Sequence, residues 1–161
     1  MIVAFEKIED ISAGEVVFYT ARIGDNELTE IELFDEQEFP QHAQELEILY
    51  NAIDLMQTKG ALKPFFKEED TANALPIVPQ SLHVANGTDF GIRLFCIKIN
   101  DNIVVLLNGD VKTALKNQDC DNVRQHFNNA RKIARKIDKM IIDGDLNPLD
   151  TDCLMDIEID V

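Results

Sequence analysis

Tryptophan is absent from this chain, tyrosine occurs only at Tyr19 and Tyr50, and the longest apolar runs, such as Ile103–Leu107, are five residues long. A bilayer span needs roughly 20, so a transmembrane helix is not expected. The start, Met1-Ile2-Val3-Ala4-Phe5-Glu6, lacks the basic flank and extended apolar stretch of a secretory leader. A cytoplasmic protein without membrane contact is expected. Three cysteines, Cys96, Cys120 and Cys153, are odd in number and widely spaced. With no C-x-x-C and no Cys/His cluster they read as free thiols, and neither a metal nor a cofactor is implied. His42 and Glu45, three apart, are one fragment of a carboxylate-bridged metal site with no second half, so helix surface is the plainer reading. Also missing are G-x-S-x-G, the P-loop and G-x-G-x-x-G. Hydrolase-elbow, NTPase and dinucleotide readings therefore lack support.

Positive charge is scarce as well: 15 Lys and Arg stand against 30 Asp and Glu, a net charge of −15. Taken over the whole chain this opposes nucleic-acid binding, which needs clustered cations. The distribution is uneven, however. Lys112 to Lys139 holds eight bases and the three acids Asp119, Asp121 and Asp138, a local +5. Residues 1–70 carry seventeen acids and five bases, and residues 142–161 seven acids and no base. A basic segment is thus bracketed by acidic ends.

At 161 residues one domain, 1–161, with a single substantial core is expected. The β-formers Val16–Ile23, the turn residues Gly24-Asp25-Asn26 and the alternating Glu27–Phe34 predict an N-terminal β-hairpin over about 16–34, its second arm an edge strand. Leu46, Leu49, Ile53 and Met56 step by three and four, predicting a helix over about 40–59 that opens with Pro40 and closes at Gly60. Lys63–Gln80, with Pro64, Pro76 and Pro79, reads as an irregular surface connection, and Ser81–Ala85 as a short strand turning at Asn86-Gly87. Val123, Phe127, Ala130, Ala134, Ile137 and Ile141 predict a long helix capped by Asp119 or Asp121, with Gly144 beyond its end. The acidic tail, about 145–161, is either frayed or one added strand.

Between these elements lies the most informative stretch, Phe90 to Lys116. Phe90, Ile92, Leu94 and Cys96 alternate with Arg93, Phe95, Ile97 and Ile99; Asn100-Asp101 turns the chain, and Ile103–Leu107 follows, ending at Asn108-Gly109. Apolar residues on both faces predict two central, antiparallel strands. The fold class expected is α+β, an antiparallel sheet of about four to six strands packed by two amphipathic helices.

This order, with RLFCIKI, a polar turn, NIVVLL, Asn-Gly and then Val111-Lys112-Thr113, resembles the closing strands of the RelE/HigB toxin superfamily, above all its phage-related HigB-like branch. There an Arg-bearing strand, a turn and an apolar strand lead into a lysine and a C-terminal helix. The resemblance covers roughly residues 40–140 and implies a RelE-like fold and a toxin-related protein of a bacterial toxin–antitoxin module. The activity it implies is ribosome-dependent messenger RNA cleavage, or a relative that has lost catalysis, and the partner it implies is a helix-turn-helix antitoxin. It assigns catalytic roles to Arg93 and Lys112, with His83 on the preceding strand as a third candidate. The plainer reading of the same residues is an arginine paired at a sheet end, a solvated lysine and an ordinary strand histidine.

Arg124, Arg131, Lys132, Arg135, Lys136 and Lys139 are the candidate nucleic-acid contacts, or else a solvated helix face. A third arrangement folds the acidic tail back over them. The alternative functional class is a non-enzymatic acidic protein-interaction module, in which the N-terminal acids meet a basic partner.

Overall fold

In the computed structural model, which describes residues 1–77 and 90–161, the chain is α+β. Its elements are β1 (Ile2–Lys7), β2 (Val17–Ile23), α1 (Glu30–Glu36), α2 (Ala43–Lys59), β3 (Lys67–Glu69), β4 (Ala72–Leu75), β5 (Ile92–Asn100), β6 (Ile103–Val111), α3 (Asp121–Ile142) and β7 (Glu158–Asp160). Among the described residues the strands make one seven-stranded sheet, ordered β3-β4-β5-β6-β2-β1-β7. β2 runs parallel to β6, pairing Val17, Phe18 and Tyr19 with Ile103, Val104 and Val105, and the other pairs are antiparallel. The sheet is therefore mixed and wider than the antiparallel four to six strands expected, and three α-helices rather than two pack on it. Among the described residues no helix is long and apolar enough to cross a membrane.

Two cores flank the sheet. On one face Tyr19, Phe95, Ile97, Val105 and Leu107 meet Val123, Phe127, Ala130, Ile133 and Ile137 of α3; Phe95 and Phe127 lie 5.8 Å apart, ring centre to ring centre. On the other, Phe18, Leu94, Cys96, Val104 and Leu106 meet Phe34 of α1 and Leu49, Ile53 and Met56 of α2. β5 and β6 thus have the central place that their two apolar faces predict. Each fully buried large side chain contributes about 1.5–3 kcal/mol of transfer free energy.

The N-terminal β-hairpin does not form. Val17–Ile23 is a strand, but it pairs with β1 and β6, and the expected second arm is a turn followed by α1. Thr29 and Glu32 form a capping box: the Thr29 hydroxyl accepts from Glu32 N and the Glu32 carboxylate from Thr29 N. That T-x-x-E signature overrides the apparent two-residue alternation, and Glu30 and Phe34, four apart, become the buried helix face.

The described part of Lys63–Gln80, residues 63–77, is also more ordered than expected. Lys67–Glu69 and Ala72–Leu75 form a hairpin that turns at Asp70-Thr71, with Asp70 in the left-handed region at φ 59°. Pro79, the Ser81–Ala85 strand, Asn86-Gly87 and His83 lie outside the described residues. α3 begins where expected, yet its N-cap is Cys120, with no side-chain cap hydrogen bond from Asp119 or Asp121. Of the two readings of the tail, the added strand holds: Leu146, Leu154 and Ile159 are buried and β7 pairs with β1.

β6 does not stop at Asn108-Gly109 but continues to Val111 through a register shift against β5. A Cβ at Gly109 would lie 1.7 Å from the backbone oxygen of Arg93, so only glycine lets the strands approach here. Gly109→Ala is expected to cost about 2–3 kcal/mol in urea denaturation; a loss below about 0.5 kcal/mol would contradict this close approach.

Candidate functional site

The α3 face of the sheet ends in charge. Two positions before Phe95 on the same face comes Arg93, opposite Asp110 of β6. Lys112 follows β6 and is held by the backbone pairs Phe90 N to Lys112 O and Lys112 N to Gly91 O, each 2.8 Å. On the far side of β5, Lys67 pairs with Ala74, and Ala74 with Phe95, so β3 brings Lys67 and Glu69 alongside. Sequence gives no sign of this: hairpin pairing and sheet order, not spacing, carry Lys67 and Glu69 to Arg93 and Lys112. The one local signal is the charged run Lys67-Glu68-Glu69-Asp70 ahead of Thr71.

Both predicted cations are buried, each 6 % exposed. Burial lowers the pKa of Arg93, with Glu69 and Glu45 acting in the opposite sense. Lys112 is lowered by burial too; Glu69 opposes, while the charges of Arg93 and Lys67 add to the depression. Lys67 is lowered by burial and then by Arg93. Strand pairing thus sets the three cations near Glu69, with Glu45 a second carboxylate acting on Arg93. Arg93 Nη1 donates to Ile92 O at 3.0 Å, and Glu69 Oε2 accepts from Asn117 Nδ2 at 2.8 Å. Arg93 Nε, Glu69 Oε1 and Asn117 Oδ1 are buried without a hydrogen-bond partner among the described residues. Such groups cost about 1–3 kcal/mol each when left unsatisfied; three of the four among the described residues lie here, the fourth being Arg131 Nε of α3.

Cys120 stands beside it at the start of α3. Burial pushes its thiol up, but bonds from the Thr113 hydroxyl and amide and from the Val123 and Ala114 amides outweigh this and leave its pKa below the ordinary value.

A second buried polar group fills the place where β2 and β6 cease to pair. Asn108 Nδ2 donates to Glu30 Oε2 at 3.0 Å, and Gln37 Nε2 donates to Gly109 O at 2.9 Å. Burial raises the Glu30 carboxyl, the Asn108 bond opposing. With its polar atoms bonded within the fold, this group joins α1 to the strands and leaves only a narrow crevice against His126 and Ile133.

Most of the α3 cations are engaged. Arg124 pairs with Asp121 at 2.8 Å, Arg131 and Arg135 share Asp70 at 3.1 and 3.0 Å, and Lys139 pairs with Asp143. Lys132 and Lys136 have no ion pair among the described residues, and Lys136 helps to lower the Asp160 carboxyl after the dominant effect of the N-terminal amine. The tail does not lie over this basic face as a sheath; its last strand extends the sheet. His42 and Glu45 stand 3.9 Å apart, Glu45 also accepting from Ile92 N at 3.2 Å. Among the described residues no group of three or more His, Cys, Asp or Glu could hold a metal ion.

Comparison of the chain with protein-family models, with curated proteins and with solved structures found no match.

Because burial lowers the folded-state pKa of Lys112 below its unfolded value, its charged form destabilises the fold below that pKa. The penalty disappears as pH rises through the folded and then the unfolded value. Lys112→Met is expected to raise unfolding free energy by about 1 kcal/mol at pH 7, with the difference shrinking toward pH 10.5. Equal or lower stability of the variant at pH 7, measured by chemical denaturation, would show that the buried ammonium is fully compensated.

Proposed function

We propose that this chain is a RelE/HigB-like, toxin-related protein of a bacterial toxin–antitoxin module, with a helix-turn-helix antitoxin as partner and ribosome-bound messenger RNA as substrate. The observation that carries the reading is the convergence of Arg93, Lys112 and Lys67 on one end of the sheet, two of them buried and Arg93 Nε without a hydrogen-bond partner among the described residues. The order of elements supports it as well: α2, an Arg-bearing β5, an apolar β6, a lysine, then α3. In this site Arg93 and Lys67 hold the scissile phosphate, and their fixed positive charge stabilises the negative charge that develops when the ribose 2′-oxygen attacks phosphorus. As the bond from phosphorus to the 5′-oxygen breaks, Lys112, whose ammonium releases its proton more readily than an ordinary lysine, protonates the departing 5′-oxygen, and the 2′-hydroxyl proton passes to water.

The second reading, an acidic protein-interaction module, is favoured by the internal pairing of α3 and by the seven acids of residues 142–161, of which Asp143, Asp152 and Asp160 are ion-paired. Induced expression separates the two. A toxin arrests growth, the arrest is relieved by its cognate helix-turn-helix protein, and Arg93→Ala combined with Lys112→Ala, checked for folding by circular dichroism, lowers messenger cleavage in a translation extract by at least about a hundredfold. Normal growth together with intact messenger would leave the interaction module.

A further inference from the structure

The β3–β4 hairpin is the outermost and least supported part of the sheet on its side. β3 is three residues long and pairs with β4 alone, through Lys67, Glu68 and Glu69. Its position depends on side chains instead. Asp70 at the turn places one carboxylate oxygen, Oδ2, between Arg131 Nη1 at 3.1 Å and Arg135 Nη2 at 3.0 Å, and the Thr71 hydroxyl donates to Arg131 O at 3.4 Å. Arg131 is in turn seated 4.5 Å above the Phe127 ring, which packs on Phe95. One residue before Asp70 stands Glu69, whose charge acts on both Arg93 and Lys112. Glu69 nevertheless satisfies neither side: its Oε1 and Arg93 Nε are both buried without a hydrogen-bond partner among the described residues.

We propose that the hairpin regulates the cationic site: Glu69 is its built-in counter-anion, the Asp70 clasp on Arg131 and Arg135 sets how firmly Glu69 is held there, and a phosphate group enters by displacing the Glu69 carboxylate. The inference rests on reading Arg93 and Lys112 as a phosphate site. A phosphate oxygen that reaches Arg93 Nε supplies the acceptor that Glu69 does not, while the freed carboxylate gives up its bond from Asn117 and moves out with a strand that pairs with β4 alone. The clasp is partly exposed, Asp70 and Arg135 most of all, so added salt weakens it.

Binding of inorganic phosphate to the full chain, followed by calorimetry at low ionic strength, tests this. Glu69→Gln, which keeps the side chain's shape and its bond from Asn117, should bind phosphate at least about tenfold more tightly than the parent, a coupling of ordinary size. Asp70→Asn keeps a residue that tolerates positive φ while weakening the clasp, and should tighten binding about threefold. Combined with Glu69→Gln it should add nothing, because the clasp acts only through Glu69. Unchanged or weaker binding by Glu69→Gln, or an undiminished Asp70→Asn gain in the Glu69→Gln background, would overturn the proposal. Arg93→Ala in the Glu69→Gln background tells the two levels apart. If it abolishes binding while Glu69→Gln gives no gain, the site stands and the hairpin control falls. If it changes nothing, or no variant binds phosphate, both fall.

Discussion

The packing of β5 and β6 between two helix layers is the constraint on which the rest depends. Both strands are apolar on both faces, so neither face can be left to water, and the chain has to supply α1 and α2 for one and α3 for the other. Every outer strand is then placed relative to this pair. β2 enters in parallel beside β6 over only three residue pairs, and α1 occupies the space where the two strands part. β4 and β3 extend the opposite side.

Charge at the end of such a pair is expensive. Arg93 and Lys112 lie where the apolar pattern gives out, yet they remain within the packed volume, and the fold leaves Arg93 Nε unpaired among the described residues. A purely structural role would favour either a direct ion pair or an apolar replacement, since burying an unpaired cation lowers stability. Perturbed, incompletely satisfied groups of this kind gather at sites that bind or react. The placement of Glu69 beside them, on a three-residue edge strand, makes the same point. Its charge offsets part of the cost of burying Arg93 and Lys112 without pairing directly with either.

The basic segment shows how far local charge can mislead. Eight bases between Lys112 and Lys139 suggest a surface that follows phosphates, but four of the six candidate contacts on α3 are paired with Asp70, Asp121 or Asp143. Two of these acids lie within four residues of their partners along the helix. The third, Asp70, is 61 residues before Arg131 and reaches it only because the hairpin turns there. The segment's positive charge is spent largely on holding the molecule together, which reconciles it with an overall net charge of −15.

What the sequence by itself determined was whatever depends on near neighbours. Periodicity of three and four located α2 and α3, two-faced hydrophobicity identified β5 and β6 as central, and alternation put Arg93 on the same face as Phe95. The T-x-x-E of Thr29 and Glu32 was legible as well, although the alternating Leu28, Glu30, Glu32 and Phe34 suggested a strand, and over so few residues periodicity cannot separate the two. Tertiary structure decided the rest: the parallel β2–β6 pairing, the added β1 and β7, and the arrival of Lys67 and Glu69 at Arg93 and Lys112. Those contacts join residues from about a dozen to more than 150 positions apart, through backbone pairing that any strand sequence can offer, so their choice rests on how all the apolar faces can be buried at once and not on any local pattern.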